Sequence, residues 1–252
     1  MGPRVPVESV SSCLVASIFE PMLPGLLLEV AVDSLARAEA AQRAGAHRLE
    51  LCANLEAGGL TPSLELIRQV RSAVRLPIHV MVRPRRGDFV YSAQEFAEMK
   101  ESIKAISGQN VQGIVTGVLL SNGSVDVQRT RELVALARPM QVTFHRAFDE
   151  TKNIAASLED IVLTGVHRIL TSGGAVNAKS GASVLQSLIQ QARNRITILP
   201  GGGLHPGNIA EVAHETGARE VHTGLGGVIA YASENTAAFE SAVRDCVASL
   251  LG

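Results

Sequence analysis

The sequence has no tryptophan and only two tyrosines among its 252 residues. Aromatic residues make up 3% and hydrophobic residues 46%, so whatever core forms is aliphatic. Cysteine is also scarce. Cys13, Cys52 and Cys246 are few, odd in number and far apart, which argues against a disulfide framework and for a reducing compartment, the cytoplasm. No apolar run approaches the roughly 20 residues of a membrane-spanning helix. Nor is there an excess of either charge: 23 basic residues meet 24 acidic ones for a formal net charge of -1. Without a basic field or block, nucleic acid is not an expected partner. HExxH, CxxC, GxSxG and a GxGxxG after the first strand are all missing, which removes the commonest signatures of zinc proteases, thiol redox proteins, serine hydrolases and dinucleotide binders.

What is present is a repeated cycle. Residues 1–25, MGPRVPVESVSSCLVASIFEPMLPG, carry four prolines and no clear periodicity, and read as a loose N-terminal extension rather than a signal peptide. From residue 26 to 252, short aliphatic runs alternate with segments of helical spacing. The strand candidates are LLLEVAV, HRLELC, PIHVMVRP, VQGIVTGVL, MQVTFHR, HRILTS, RITILPGGG and REVHTG. Helix candidates between them include SLARAEAAQRAG, SLELIRQVRSAV, AQEFAEMKESIKAIS, DVQRTRELVALAR, NIAASLEDIVLTG and PGNIAEVAHETG, with NTAAFESAVRDCVASLL at the end. Gly45, Gly165 and Gly217 stand where a helix closes in a left-handed cap before the next strand. Eight such cycles in one chain of this length predict a single α/β domain, a TIM-like (β/α)8 barrel.

In a barrel, one face of each strand packs against helices and the other fills the interior. Leu28, Val30 and Val32 share a face that leaves Glu29, Ala31 and Asp33 on the other. The same alternation turns inward Arg48, Glu50 and Cys52, then His79, Met81 and Arg83, then Thr143 and His145, then Glu220 and His222. Asp33 could serve as a helix N-cap. Arg48 and Glu50 are candidates for an interior ion pair, and Arg83 for a pair with either inward glutamate. In TFHRAFD, His145 ends the fifth strand and Arg146 and Asp149 start its loop, at the C-terminal rim where barrels do chemistry. Burying so many ionisable groups from separate strands without a role would be costly. Glu29, Glu50, Arg83, His145 and Asp149 are therefore the candidate catalytic residues. PGGGLHPGN and HTGLGG, after strands seven and eight, offer Gly201, Gly202, Gly203, Thr223 and Gly224 as an anion site, and TSGGA after strand six adds a third donor-rich turn. The four lysines, Lys100, Lys104, Lys152 and Lys179, lie away from inward strand positions, so a Schiff-base aldolase has no nucleophile. Carboxylate and histidine acid–base work on a small anionic metabolite, phosphorylated or not, remains, as does a soft metal bound by Cys52, Met81 and nearby histidines.

LEVAVDS (28–34), RLELCANLEAGGLTPS (48–63), VMVRPRRGDFVYS (80–92), VTFHRAFD (142–149), RILTSGG (168–174) and LPGGGL (199–204) together make the chain resemble the CutC copper homeostasis proteins. That resemblance implies a TIM-like barrel, assembly into a homo-oligomer such as a dimer or tetramer, and copper tolerance with copper(I) binding. It also implies a copper site which, in animal members, uses one cysteine in an EVCVDS-type first strand and another after strand two. Cys52 matches the second position, but Ala31 stands at the first. Since copper(I) commonly takes two soft donors, Cys52 would need Met81, His79 or a second subunit to complete a site.

Overall fold

The computed structural model describes residues 25–231 and 235–251. The extension expected over residues 1–25, with Cys13, lies outside the described residues except for Gly25.

Eight strands and eight helices alternate along the described chain. They run β1 (Leu27–Val32), α1 (Leu35–Arg43), β2 (Arg48–Leu51), α2 (Leu64–Ala73), β3 (Ile78–Met81), α3 (Ala93–Ser107), β4 (Gly113–Thr116) and α4 (Val127–Ala137). The second half continues with β5 (Gln141–Phe144), α5 (Ile154–Val162), β6 (Arg168–Thr171), α6 (Ala182–Ala192), β7 (Thr197–Pro200), α7 (Ile209–Thr216), β8 (Glu220–Thr223) and α8 (Thr236–Leu251). The strands pair in parallel in the order β7-β6-β5-β4-β3-β2-β1-β8. A single parallel bridge between Gly201 and His222 joins the two ends, so the sheet curls into the expected barrel. No helix among the described residues is long and apolar enough to cross a membrane.

Local chemistry sets the element ends. Ser63 and Ser92 cap α2 and α3 by accepting the N–H groups of Leu66 and Glu95, and Glu95 returns a carboxylate to the Ser92 N–H, a reciprocal pair that satisfies two otherwise orphaned donors. Gly45, Gly165 and Gly217 do adopt positive φ, at 91°, 82° and 69°, conformations open to glycine at little steric cost. Asp33 does not cap α1. Ser34 does, because its hydroxyl is one residue closer to the Arg37 N–H, and Asp33 instead pairs with the Arg37 side chain at 3.4 Å. α6 is the one helix absent from the segments named above, and Gly181 precedes it without a side-chain cap.

The alternation sorted the strand faces correctly. Leu28, Val30, Val32, Leu49, Leu51, Ile78, Val80 and Val142 are fully buried in the layer between strands and helices. Each such side chain contributes about 1.5–3 kcal/mol relative to exposure. The inward positions form a separate, smaller apolar group of Ala31, Cys52, Leu55, Met81 and Val115. Apart from Leu170 and Leu199, most of the remaining inward strand positions are polar, and that division creates the site.

Candidate functional site

The polar interior is arranged in two tiers. The lower tier comes mostly from first residues of strands. Arg48 bonds the Glu29 carboxylate through Nε and Glu220 through Nη2 at 2.7 Å; Arg168 reaches Glu220 at 3.1 Å and Gln141 at 2.8 Å. This differs from the expected Arg48–Glu50 pair. Parallel register sets Glu29 beside Arg48, whereas Glu50 pairs across to Ala31 and His79, one step further up the barrel. Although burial opposes it, Arg48 with His222 holds the Glu29 carboxyl well below its ordinary range.

The upper tier is less saturated. His222 Nδ1 lies 2.8 Å from Glu29 Oε1 and its Nε2 lies 3.8 Å from Glu50 Oε2. An ionised Glu29 fixes the tautomer: Nδ1 donates to it, and Nε2 is presented toward Glu50. Glu50 is buried, and its Oε1 has no hydrogen-bond partner. Burial pushes the Glu50 carboxyl up, with Glu29 adding to the shift and His222 opposing it. Burial pulls the other way on His222, yet Glu50 and Glu29 raise its pKa on balance.

Above this tier opens a cavity of about 220 Å³ at the C-terminal rim. Glu50, His222, Arg83, His145 and Arg146 supply its charged and polar wall, Leu55, Met81, Phe89, Leu170 and Tyr231 its apolar wall, and Gly202, Gly203 and Gly224 part of its edge. Of the sequence candidates, Glu50, Arg83, His145, Gly202, Gly203 and Gly224 thus meet in one space. Glu29 sits directly behind, touching it through His222.

Other candidates are placed differently. Arg83 pairs with neither inward glutamate; its guanidinium donates to the carbonyls of Ala57, Gly58, Gly59 and Gly87, because it leaves β3 at the rim where two loops converge. Asp149 is not among the cavity-lining residues. Its oxygens accept from Arg146 Nε at 2.8 Å, from the Ser172 N–H and hydroxyl at 3.1 Å, from the Gly174 N–H at 3.0 Å and from the Thr171 hydroxyl. The Thr171, Ser172 and Gly174 donors of the TSGGA turn are therefore used by Asp149, and the Gly173 N–H goes to the Thr171 hydroxyl at 2.8 Å. Thr223 also faces away from the cavity, donating to the Leu204 carbonyl at 2.6 Å and accepting from the Leu225 N–H. Gly201 carries the bridge to His222, and an added Cβ there would lie 2.5 Å from Leu170 Cδ1.

Arg146, Phe89, Tyr231 and His222 line the cavity but stand outside the candidate set drawn from the sequence. Only His222 and Arg146 had a usable signal, an inward strand position and adjacency to His145. Phe89 and Tyr231 lie in rim loops, where no periodicity reports direction.

Cys52 is fully buried beside Met81. A Cβ on Gly59 would lie 3.0 Å from the Cys52 sulfur and 3.3 Å from Met81 Cε, so both side chains abut one point. The Cys52 thiol donates to Glu50 Oε2 at 3.5 Å. Burial, followed by the charge of Glu50, pushes it well above its usual 9.0. Glu29, Glu50 and His222 form a second potential ligand group, their donor atoms lying within 4.8 Å of one another.

Comparison with known proteins agrees with this architecture. The CutC family model matches residues 26–227. A family protein CutC from Chromobacterium violaceum is 45% identical over 206 residues, covering 82% of this chain and 83% of its own length. The human copper homeostasis protein cutC homolog is 42% identical over 198 residues, covering 79% of this chain and 72% of its own. A solved CutC structure from Streptococcus agalactiae superposes with a TM-score of 0.75 at 30% identity, covering 79% of this chain and 98% of that one.

Proposed function

The chain belongs to the CutC family, and from that premise we propose that it is a copper homeostasis protein whose working part is the rim cavity, where a small anionic metabolite exchanges a proton with Glu50 and His222. Glu50 carries this reading. A buried carboxyl with one unpartnered oxygen, raised above its ordinary value and set beside a histidine able to hold a proton, has the properties that proton transfer near neutral pH requires. Glu29 orients His222. Asp149 acts as a positioning residue, tying the loop after β5 to the loop after β6. The reading includes a cytoplasmic location, supported by two free, buried cysteines, and a dimer or tetramer, as the family resemblance implies.

The test is a screen of small hydroxy and oxo acids and their phosphate esters for compounds that raise the melting temperature. The compound that binds is then incubated with the chain in deuterium oxide. Exchange of one of its C–H protons is expected; a ligand that binds in the cavity and exchanges none removes proton transfer from the reading.

Copper(I) is the group the family implies, and the donor set here does not fit it as a resident ion. Two soft donors are commonly needed. Ala31 supplies none, and the Cys52 thiol resists ionisation beside Glu50, which leaves the Met81 thioether as the one ready soft ligand in the inward apolar group. We therefore expect wild type and Cys52→Ser to compete equally poorly for copper(I) against a chromophoric chelator under anaerobic conditions. Tight binding at a defined stoichiometry by wild type, lost in the variant, would reverse this conclusion.

A further inference from the structure

Arg83 is a buried cation that no carboxylate answers. Its well-formed hydrogen bonds go to main-chain carbonyls, at 3.2, 3.2 and 3.4 Å for Nη1 and 2.8 Å for Nη2. Its Nε–H has no partner. Glu150 is near enough to sense its charge, yet forms no ion pair with it among the described residues. The Phe89 ring packs against the guanidinium, 4.8 Å from Cζ to centroid, and the same ring lies 4.7 Å from the His145 ring.

His145 adds a second unanswered donor. Its Nδ1 accepts the Ala147 N–H at 3.2 Å, so in the neutral ring the proton is on Nε2. That Nε2 is buried and has no acceptor. Gly117 leaves room for the opposite ring edge: a Cβ there would stand 2.6 Å from Nδ1, so the ring is held in this orientation. Burial, helped by Arg83, brings His145 down to about 3, and the ring stays neutral at physiological pH. The Tyr91 hydroxyl is buried close to Arg83: burial pushes it up to about 12, against the charge of Arg83 and a weak hydrogen bond with it.

Leaving a buried guanidinium N–H and an imidazole N–H both without an acceptor is costly. We infer that Arg83 Nε and His145 Nε2, joined through Phe89, form a binding site for an oxyanion, the carboxylate or phosphoryl end of the molecule that the cavity takes. The inference rests on the proposed function for the identity of the cavity, and it names the end of the ligand that Glu50 and His222 do not handle. It also moves the anion away from the glycine loops. The Arg146 guanidinium at that edge is already bonded to Asp149 and Ser172, and its side chain is 44% exposed, so its charge is answered by a carboxylate and by solvent. The Arg83 charge has neither.

The experiment uses the full chain labelled with nitrogen-15, with long-range proton–nitrogen spectra of the histidine rings recorded during titration with inorganic phosphate and, separately, acetate. His145 is expected in the Nε2–H form, with a saturable shift of that nitrogen. The anion that saturates at lower concentration distinguishes a phosphoryl from a carboxylate ligand. By calorimetry, Arg83→Met and His145→Asn should each weaken that anion about tenfold or more, as befits loss of a charge-assisted or buried hydrogen bond. Arg146→Gln should leave affinity within about twofold, the range for a solvent-screened charge. His145→Asn keeps an acceptor for the Ala147 N–H, so it separates lost binding from the loop disruption that Arg83→Met could cause. Retained affinity in His145→Asn with loss in Arg146→Gln would place the anion on the glycine loops and overturn the inference, as would the absence of a saturable shift with both anions. Failure of the proton-transfer reading looks different: anion binding persists, but the bound metabolite exchanges no proton.

Discussion

Glu29→Gln is expected to cost about 3–5 kcal/mol of folding stability, the range for removing one partner of a buried ion pair. Glutamine keeps the volume of the side chain but not its charge. Arg48 would keep only Glu220, His222 would lose the carboxylate that fixes its Nδ1–H, and both groups are buried. Urea unfolding at pH 7 measures the difference, and a loss below about 1 kcal/mol, the size of an ordinary surface pair, would show that the lower tier does not hold the barrel together. The effect has a pH signature. The folded-state pKa of Glu29 lies well below 4.5, so its contribution is present above the unfolded value and is lost as pH falls through the folded one. Wild type and variant should therefore converge in acid.

Glu50→Gln should behave in the opposite way, although the two glutamates sit on neighbouring strands. Glu50 makes no ion pair except the long 3.8 Å approach to His222, and its pKa is raised by burial. Its contribution to stability is present below the unfolded carboxyl pKa and lost as pH rises through the folded value. Glutamine cannot ionise, so at pH 8 the variant should be as stable as wild type or more so. Proton exchange on the bound metabolite should fall about 10²–10⁴-fold, the usual size of a general acid–base contribution. Melting curves across pH and the exchange rate in deuterium oxide check both parts. A Glu50→Gln chain as destabilised as Glu29→Gln, with exchange intact, would assign Glu50 to the scaffold. Activity that depends on a group which lowers stability is a common compromise in active sites.

The contrast between these residues shows where sequence reading stopped. The alternation of Leu28, Val30 and Val32 with Glu29 and Ala31 gave strand direction and face, and the same rule turned Glu50, Met81, Arg83 and His145 inward. It could not say that Glu29 is spent on Arg48 while Glu50 keeps a free oxygen, since both have the same residue type and the same orientation. Asp149 and Arg83 are loop cases of the same limit. Each sits where the sequence put it, at the rim, but main-chain groups brought in from other loops claim the Asp149 oxygens and two of the Arg83 nitrogens. Phe89, which links Arg83 to His145, had no signal at all, because a single aromatic in a loop has no period.

By itself, then, the sequence determined the eightfold βα cycle, the outward aliphatic layer, the inward polar set and the rim that carries it, because strand period and helix period are local properties of the chain. Only the tertiary structure decided which charges meet. Pairing inside a barrel depends on the height of each residue, which is set by the register between neighbouring strands. The register of β1 against β2 places Glu29 beside Arg48 and sets Glu50 two residues higher, level with Ala31 and at the cavity, and no pattern within a single strand encodes that offset.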